Sequence, residues 1–389
     1  MKVLHLIYTN GIAGAEKYLM HLLPALRKLD FDCHIIIVCA PGAQNILQNY
    51  CDALQREKVP VKLIVTSRKK FLNAAHTINQ YLRAHDIKIL HSHLLNSDVL
   101  ATAVKVLFYK KLVIISTKHG YKETVLRLLS GSLSKETLLK IARKEMYYYV
   151  TKYIIKKSDY NYAVSSAVAA LYYDLKLSKV LMPFIHHGVS IKEVQKTEGL
   201  SNYRFSNHQL IIVGRLEEFK GHRYLVEAMP SVITKFPGCR LLILGEGSEK
   251  NHLQDIVANL KIENNVSFIG FNSDPYSFVK NSDVVILPSL FEPFGLVYIE
   301  AFALGTPVVA FDTAAGNEII EHEKTGLLVK ARDAMGLAVK IIYLLENPGA
   351  AKEIATAAQQ KYLENFSTAR MVKDTALYYK KIEQQINPG

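Results

Sequence analysis

The chain has 389 residues, 49% of them hydrophobic, and a formal net charge of +13, which is enough apolar material to fill two cores and excludes a small or disordered protein. No run of about 18 apolar residues suggests a membrane span, and the opening Lys2-Val3-Leu4-His5-Leu6-Ile7-Tyr8 reads as a first strand rather than a leader. The charge is lopsided: residues 1–195 carry 28 Lys plus Arg against 13 Asp plus Glu, while residues 196–389 carry 20 against 22.

Strand patterns recur in the first half at Val3 to Tyr8, His34 to Cys39, Lys62 to Val65, Ile87 to His91, Leu112 to Thr117 and Asn161 to Val164, with helices such as Ala15 to Leu29, Asn73 to Ala84 and Ser97 to Phe108 between them. In the second half they fall at Gln209 to Val213, Arg240 to Leu244, Val266 to Phe268, Val284 to Leu287, Pro307 to Phe311 and Gly326 to Val329. The βαβ rhythm predicts an α/β protein of two Rossmann-like parallel-sheet domains facing across a central cleft. The expected boundaries are an N-terminal domain at 1–189, a polar linker at 190–207 and a C-terminal domain at 208–366, with a final helix near 367–389 packing back on the first domain.

Four cysteines, Cys33, Cys39, Cys51 and Cys239, show no CxxC spacing and are expected to be reduced, buried thiols of a cytoplasmic protein. The basic excess is densest from Lys105 to Lys157 and includes Lys122 and Arg127, and Met146-Tyr147-Tyr148-Tyr149 and Tyr153 add aromatics in helical sequence. Two readings stand: a solvated helix face with a buried tyrosine stripe, or peripheral contact with the anionic inner face of the cell membrane through the basic N-terminal domain. Nucleic acid is not expected as a partner, because no helix-turn-helix, zinc-finger or RNP-type motif is present.

Strand ends bind ligands in open α/β sheets, so the residues placed there carry the functional reading. After the first strand, Thr9-Asn10-Gly11-Ile12-Ala13-Gly14-Ala15-Glu16 makes a glycine-bearing turn that opens a helix and lets amides approach a phosphate. His91-Ser92-His93 and Lys118-His119-Gly120 follow later strands. His91 and His93 share a sheet face and could form a metal pair or be structural histidines, the second being favoured because no cysteine or acid stands beside them. Asp30-Phe31-Asp32 matches a metal-dependent D-x-D string but falls in the turn before the second strand, at the wrong end of the sheet.

In the second half, Val213-Gly214-Arg215-Leu216-Glu217-Glu218-Phe219-Lys220-Gly221-His222 puts Arg215 and Lys220 in one loop, two cations suited to a diphosphate. The segment Ser289 to Ala310 holds Glu292 in a loop before Pro293, and Glu300 about a turn and a half into a helix that begins near Gly295 or Leu296 and ends at Gly305-Thr306-Pro307. The amides of Gly295, Leu296 and Val297 form a helix start able to take an anion. Acceptors for hydroxyls beside donors for phosphate suggest a sugar nucleotide.

Taken in order, Gly14-x-Glu16, His119-Gly120, Gly214-Arg215-Leu216 with Lys220-Gly221, and Glu292-Pro293-Phe294-Gly295 with Glu300 resemble the retaining glycosyltransferases of family 4, which have the GT-B fold. The resemblance implies that Arg215 and Lys220 neutralise the donor diphosphate and that Glu300 holds the ribose hydroxyls. It also implies that Glu292, with the amides of Gly295, Leu296 and Val297, holds the donor sugar, that His119 sits beside that sugar, that the Gly14 turn caps the phosphates, and that Gly245-Glu246-Gly247 lies near the base. The implied reaction is metal-independent and retaining, with no cofactor. It moves a sugar from a nucleotide-diphosphate sugar, UDP by default and GDP as the other choice, to a glycan or lipid-linked acceptor in cell-surface polysaccharide or glycolipid synthesis. Two departures stand out: Ala13 replaces the first of two adjacent glycines, and His187-Gly188-Val189-Ser190 stands where Asn-Gly-Val-Asp is common. A nucleotide-sugar epimerase or phosphorylase of the same fold, and a non-catalytic scaffold protein, are the other classes compatible with these residues.

Overall fold

A computed structural model describes residues 1–120, 135–190 and 203–386. The middle of the expected linker, 191–202, and the basic residues Lys122 and Arg127 lie outside the described residues. The chain divides into two compact units, one formed by Met1–His187 together with Thr368–Gly389, the other by Gly188–Ser367.

The first unit contains strands β1 (Lys2–Tyr8), β2 (Asp32–Cys39), β3 (Val61–Val65), β4 (Ile89–His93), β5 (Val113–Lys118) and β6 (Tyr160–Ala163), all parallel, in the order β3-β2-β1-β4-β5-β6. Its helices are α1 (Gly14–Arg27), α2 (Gln44–Arg56), α3 (Phe71–Ala84), α4 (Leu95–Leu107), α5 (Lys135–Lys157) and α6 (Ser166–Asp174). Strand side chains alternate between faces, so Leu4, Leu6, Ile36 and Val38 pack with residues of α3 and α4. Val3, Ile7, Ile35 and Ile37 pack on the opposite face with α1, α2 and the returning C-terminal helix.

Several strand boundaries differ from the sequence reading by one or two residues, and the shift that bears on the site is at β4. β4 runs from Ile89 to His93 rather than from Ile87 to His91, because the amide of Ile87 closes the turn after α3 on the carbonyl of Leu82 (2.8 Å), with Asp86 at φ 50°. The strand therefore extends two residues further and carries His93 inside the sheet.

The second unit repeats the plan with β7 (His208–Val213), β8 (Cys239–Leu244), β9 (Val266–Gly270), β10 (Val284–Leu287), β11 (Val308–Asp312) and β12 (Leu327–Lys330), in the order β12-β11-β10-β7-β8-β9. Helices α7 (His222–Lys235), α8 (Lys250–Asn259), α9 (Pro275–Lys280), α10 (Leu296–Leu304), α11 (Ala314–Ile319), α12 (Ala334–Glu346) and α13 (Pro348–Asn365) surround that sheet, and α14 (Thr368–Ile386) returns to the first unit. Each sheet is doubly wound, so its strand order reverses direction at one place: between β1 and β4 in the first unit, between β7 and β10 in the second. Those switch points are where such sheets hold ligands. All four cysteines are free and buried.

Candidate functional site

At the switch point of the second unit, two loops bring together residues 72 positions apart. The loop after β7 makes a short turn, Glu218–Lys220, and reaches α7 through Gly221, whose φ of 70° and tight approach to Pro288, 1.9 Å from a Cβ to the carbonyl oxygen, require glycine. The loop after β10 carries Glu292. Lys220 Nζ donates to Glu292 Oε2, and the two side chains are only 19% and 17% exposed. Of the two cations that the sequence puts in this loop, Lys220 sits on Glu292, while Arg215 is exposed and has no ion-pair partner among the described residues. Both cations lie near the Phe219 ring, Arg215 Cζ at 5.6 Å and Lys220 Nζ at 5.7 Å from its centroid.

Helix α10 starts at Gly295, held at φ 90°, where a Cβ would lie 2.3 Å from the ring of Tyr298. The amides of Gly295, Leu296 and Val297 take no backbone acceptor, as expected of a first turn. Glu300 is buried within this helix among Ile299, Ala301, Phe302 and Ala303 and accepts from the Tyr276 hydroxyl at 3.2 Å. Gly245 donates to the carbonyl of Gly270 at 2.8 Å, and the carbonyl of Glu246 accepts from Leu216 at 3.0 Å. The Glu246 side chain is exposed beside Lys250.

Two residues near the ion pair escaped the sequence reading. His222 and Tyr298 line the same small pocket as Lys220, Ser289 and Glu292. Both nitrogens of His222 and the hydroxyl of Tyr298 are buried without a hydrogen-bond partner among the described residues. Burial, with the Lys220 charge, lowers the His222 pKa to about 4, and burial raises that of Tyr298. His222 directly follows Gly221 at the helix start, which was the available signal.

In the first unit, Gly14 opens α1, and the Glu16 carboxylate turns back to accept from the Ala13 amide at 2.8 Å, closing the turn from the side. His119 follows β5. Its Nε2 meets His93 Nδ1 at 3.3 Å, and its Nδ1 is buried with no hydrogen-bond partner among the described residues. His93 Nε2 meets His5 Nδ1 at 3.1 Å, and Tyr379 of α14 lies between His5 Nε2 (3.2 Å) and His91 Nδ1 (2.5 Å). His91 Nε2 meets Thr117 Oγ1 at 2.7 Å. His5 and His91 are register partners on β1 and β4, which places three histidines at the switch point. Their ring nitrogens are close enough to hold a metal ion, and all six have hydrogen-bond partners within the protein. On the other face of β4 and β5, Lys118 and Asp98 form a buried ion pair at 2.9 Å, with Ser92 and Ser116 also donating to Asp98. His119, Lys118, Asp98 and Thr117 line a cavity of about 310 Å³ together with Tyr147 and Thr151 of α5.

Asp32 opens β2, bonded to Arg27 at 2.9 Å, and therefore lies at the opposite end of the sheet from His93 and His119. His187, the first residue of the atypical His-Gly-Val-Ser run, stacks on Tyr18 with ring centroids 4.5 Å apart and lies 5.2 Å from the His119 ring. On α5, Met146, Tyr149 and Tyr153 are exposed, as are Lys152, Lys156 and Lys157, so the tyrosine stripe is not buried as one reading expected. Among the described residues no helix is long and apolar enough to cross a membrane.

Two doubly wound sheets, each with polar groups gathered at its switch point, define a two-domain Rossmann-like protein of GT-B type. The model of the glycosyl transferases group 1 matches residues 204–361, and that of glycosyltransferase family 4 matches residues 12–193. A Methanocaldococcus jannaschii glycosyltransferase of uncharacterised function is 35% identical over 44% of each chain, and Mycobacterium tuberculosis glycogen synthase is 34% identical over 46% of this chain and 45% of its own. The chain thus matches under half the length of these two relatives. N-acetyl-alpha-D-glucosaminyl L-malate synthase of Bacillus anthracis is 26% identical over 81% of each chain. Among solved structures, Anabaena HepE in complex with UDP and glucose superposes with a TM-score of 0.77 at 20% identity, covering 98% of this chain and all of its own. A Rickettsia africae glycosyltransferase gives 0.77 at 22% identity over 98% of both chains. Two glycosyltransferase family models thus match the chain in turn, family 4 in the first half and group 1 in the second.

Proposed function

We propose that this protein transfers a sugar, with retention, from a nucleoside-diphosphate sugar to a glycan or lipid-linked acceptor, with UDP as the default nucleotide. The observation that carries the reading is the Lys220–Glu292 pair beside Arg215, with Glu300 buried on the helix that follows. Breaking the sugar-phosphate bond leaves cationic character on the sugar carbon and negative charge on the departing diphosphate, so preorganised opposite charges lower the barrier. Arg215 and Lys220 screen the diphosphate, which needs no metal in this scheme. The diphosphate replaces Glu292 as the partner of Lys220, and Glu292 turns to the sugar hydroxyls. Glu300 accepts from the ribose hydroxyls. The acceptor oxygen bonds to the sugar carbon on the face the diphosphate leaves, and its proton passes to a leaving phosphate oxygen. HepE was solved with UDP and glucose, which supports UDP as the first nucleotide to try. Thermal-shift screening with UDP and GDP, followed by a donor-hydrolysis assay on the hit, tests the reading; no shift with either would overturn it.

Peripheral membrane contact belongs to the same proposal. Met146, Tyr149 and Tyr153 stand exposed on α5 beside Lys152, Lys156 and Lys157, an aromatic and cationic surface suited to anionic lipid headgroups. Cosedimentation with phosphatidylglycerol vesicles, and none with phosphatidylcholine vesicles, is the expected result.

A further inference from the structure

Helix α5 presents two sides of different chemistry. Tyr147, Thr151 and Ile154 stand at helical spacing on its inner side, where Thr151 and Ile154 are buried and Thr151 donates to the Tyr147 carbonyl at 2.7 Å. Met146, Tyr149 and Tyr153 stand on its outer side, 63%, 63% and 50% exposed, with the exposed Lys152, Lys156 and Lys157 around them. The inner side forms one wall of the cavity of about 310 Å³ beside His119, within the first unit. Other walls come from Tyr8 at the end of β1, Asn96 at the start of α4 and Tyr172 of α6. Among the described residues that line this cavity, the only charged groups are Lys118 and Asp98, each 3% exposed and bonded to each other at 2.9 Å. Burial keeps His119 neutral, lowering its pKa to about 3. With those charges cancelled, the lining offers tyrosines, an amide and a hydroxyl, and no net charge for a phosphate. A sugar ring, with an apolar C–H face and a rim of hydroxyls, matches such a lining.

We propose that this cavity seats the sugar of the acceptor, and that the acceptor is a saccharide carried on an anionic lipid, with α5 lying between the membrane surface and the cavity. That the bound sugar is the acceptor rests on the proposed transferase reading; the joining of a sugar site and a lipid surface on one helix does not. A soluble glycan would leave Met146, Tyr149 and Tyr153 in water, whereas an anionic bilayer takes up their apolar surface and pairs its phosphates with Lys152, Lys156 and Lys157. The first half of the chain, with 28 Lys plus Arg against 13 Asp plus Glu, carries the matching charge. A helix is about 10–12 Å across, so the two sites are separated by about that distance. Two weak contacts joined through one ligand reinforce each other, because the second forms at a high effective concentration once the first is made. The lipid surface thus supplies affinity, and the uncharged cavity chooses the sugar.

Flotation of the full chain with phosphatidylglycerol vesicles, plain or carrying a monoglycosyl diacylglycerol, tests this, with glucose, galactose and N-acetylglucosamine headgroups tried separately. One of the three sugars should tighten binding about tenfold or more over plain phosphatidylglycerol. The methyl glycoside of that sugar, free in solution, should bind far more weakly, and phosphatidylcholine vesicles carrying the same glycolipid should not reproduce the gain. Asn96→Ala, at an exposed position, and Tyr147→Leu should each remove most of the sugar-dependent gain while thermal unfolding shows a folded protein and plain phosphatidylglycerol still binds. No gain with any of the three sugars overturns the proposal, as does a gain that survives in both folded variants. Equal binding of the free methyl glycoside, or of phosphatidylcholine vesicles with the glycolipid, overturns the anionic-lipid carrier. Failure of donor hydrolysis in the unmodified protein would overturn the transferase reading and leave the vesicle result standing.

Discussion

Lys220 and Glu292 are bound to each other across the switch point of the second sheet, each side chain less than one-fifth exposed. Neither therefore waits as an isolated charge, and a ligand that takes one must release the other. A partly buried carboxylate deprived of its cation carries a penalty, which a sugar hydroxyl bonded to Glu292 would offset. In the proposed reaction, donor binding and the sugar contact would be tied together in this way.

Lys220→Ala should weaken diphosphate affinity. A charge-assisted hydrogen bond contributes about 1.5–3 kcal/mol, so a loss of about tenfold or more in UDP affinity by calorimetry is expected. Unchanged affinity would remove Lys220 from the site.

Glu300→Gln tests the ribose contact. The unmodified protein should prefer UDP over 2′-deoxy-UDP, and the variant should lose most of that preference while melting within a few degrees of it. A preference that survives the substitution would assign Glu300 to packing with Tyr276, its hydroxyl donor at 3.2 Å.

Gly295→Ala should destabilise the second unit. The residue is held at φ 90° and an added methyl would lie 2.3 Å from the Tyr298 ring, so a cost of about 1–3 kcal/mol is expected from backbone strain alone. Thermal unfolding followed by circular dichroism, with UDP binding measured in parallel, checks it. A variant as stable as the unmodified protein would show that the helix start can relax.

Stability should fall with acidification. His5 and His119 have folded-state pKa values of about 3 and His222 of about 4, against about 6.5 in the unfolded chain. The unfolded state thus binds more protons below pH 6.5, and stability is full above that value. It declines as pH falls, by up to about 1.4 kcal/mol per pH unit for each histidine that takes up a proton only on unfolding. Denaturant midpoints between pH 7.5 and 5 measure this; a flat profile would contradict the burial of these rings.

The strand rhythm was legible because buried parallel strands are written as short Val, Ile and Leu runs between glycine and proline turns, and Val284–Leu287 lies where the sequence puts it. The start and end of α10 were legible for the same kind of local reason, glycine at both caps. Pairing across the fold was not. Nothing local in Lys220 points to Glu292, and Phe219 between two cations reads equally well as a turn residue. The histidine chain was hidden for a topological reason. His5 sits in the first strand and Tyr379 lies 374 positions later, so His91 and His93 were visible as a pair while the residues that occupy their nitrogens were not. The polar interruption of an apolar strand at His5 was the signal available.

Helix α14 gives the molecule an order of assembly. Tyr379, Thr375 and Met371 complete the core of the first unit, yet they emerge from the ribosome after all of the second. During synthesis, β1 through β6 must stand with His5 and His91 lacking the hydroxyl that joins them and with Phe31 lacking the ring it packs against. The unit begun first is the unit finished last, so a nascent chain halted before Thr368 would hold a closed second unit and an open first one. Expression of residues 1–187 alone would reproduce that unfinished state.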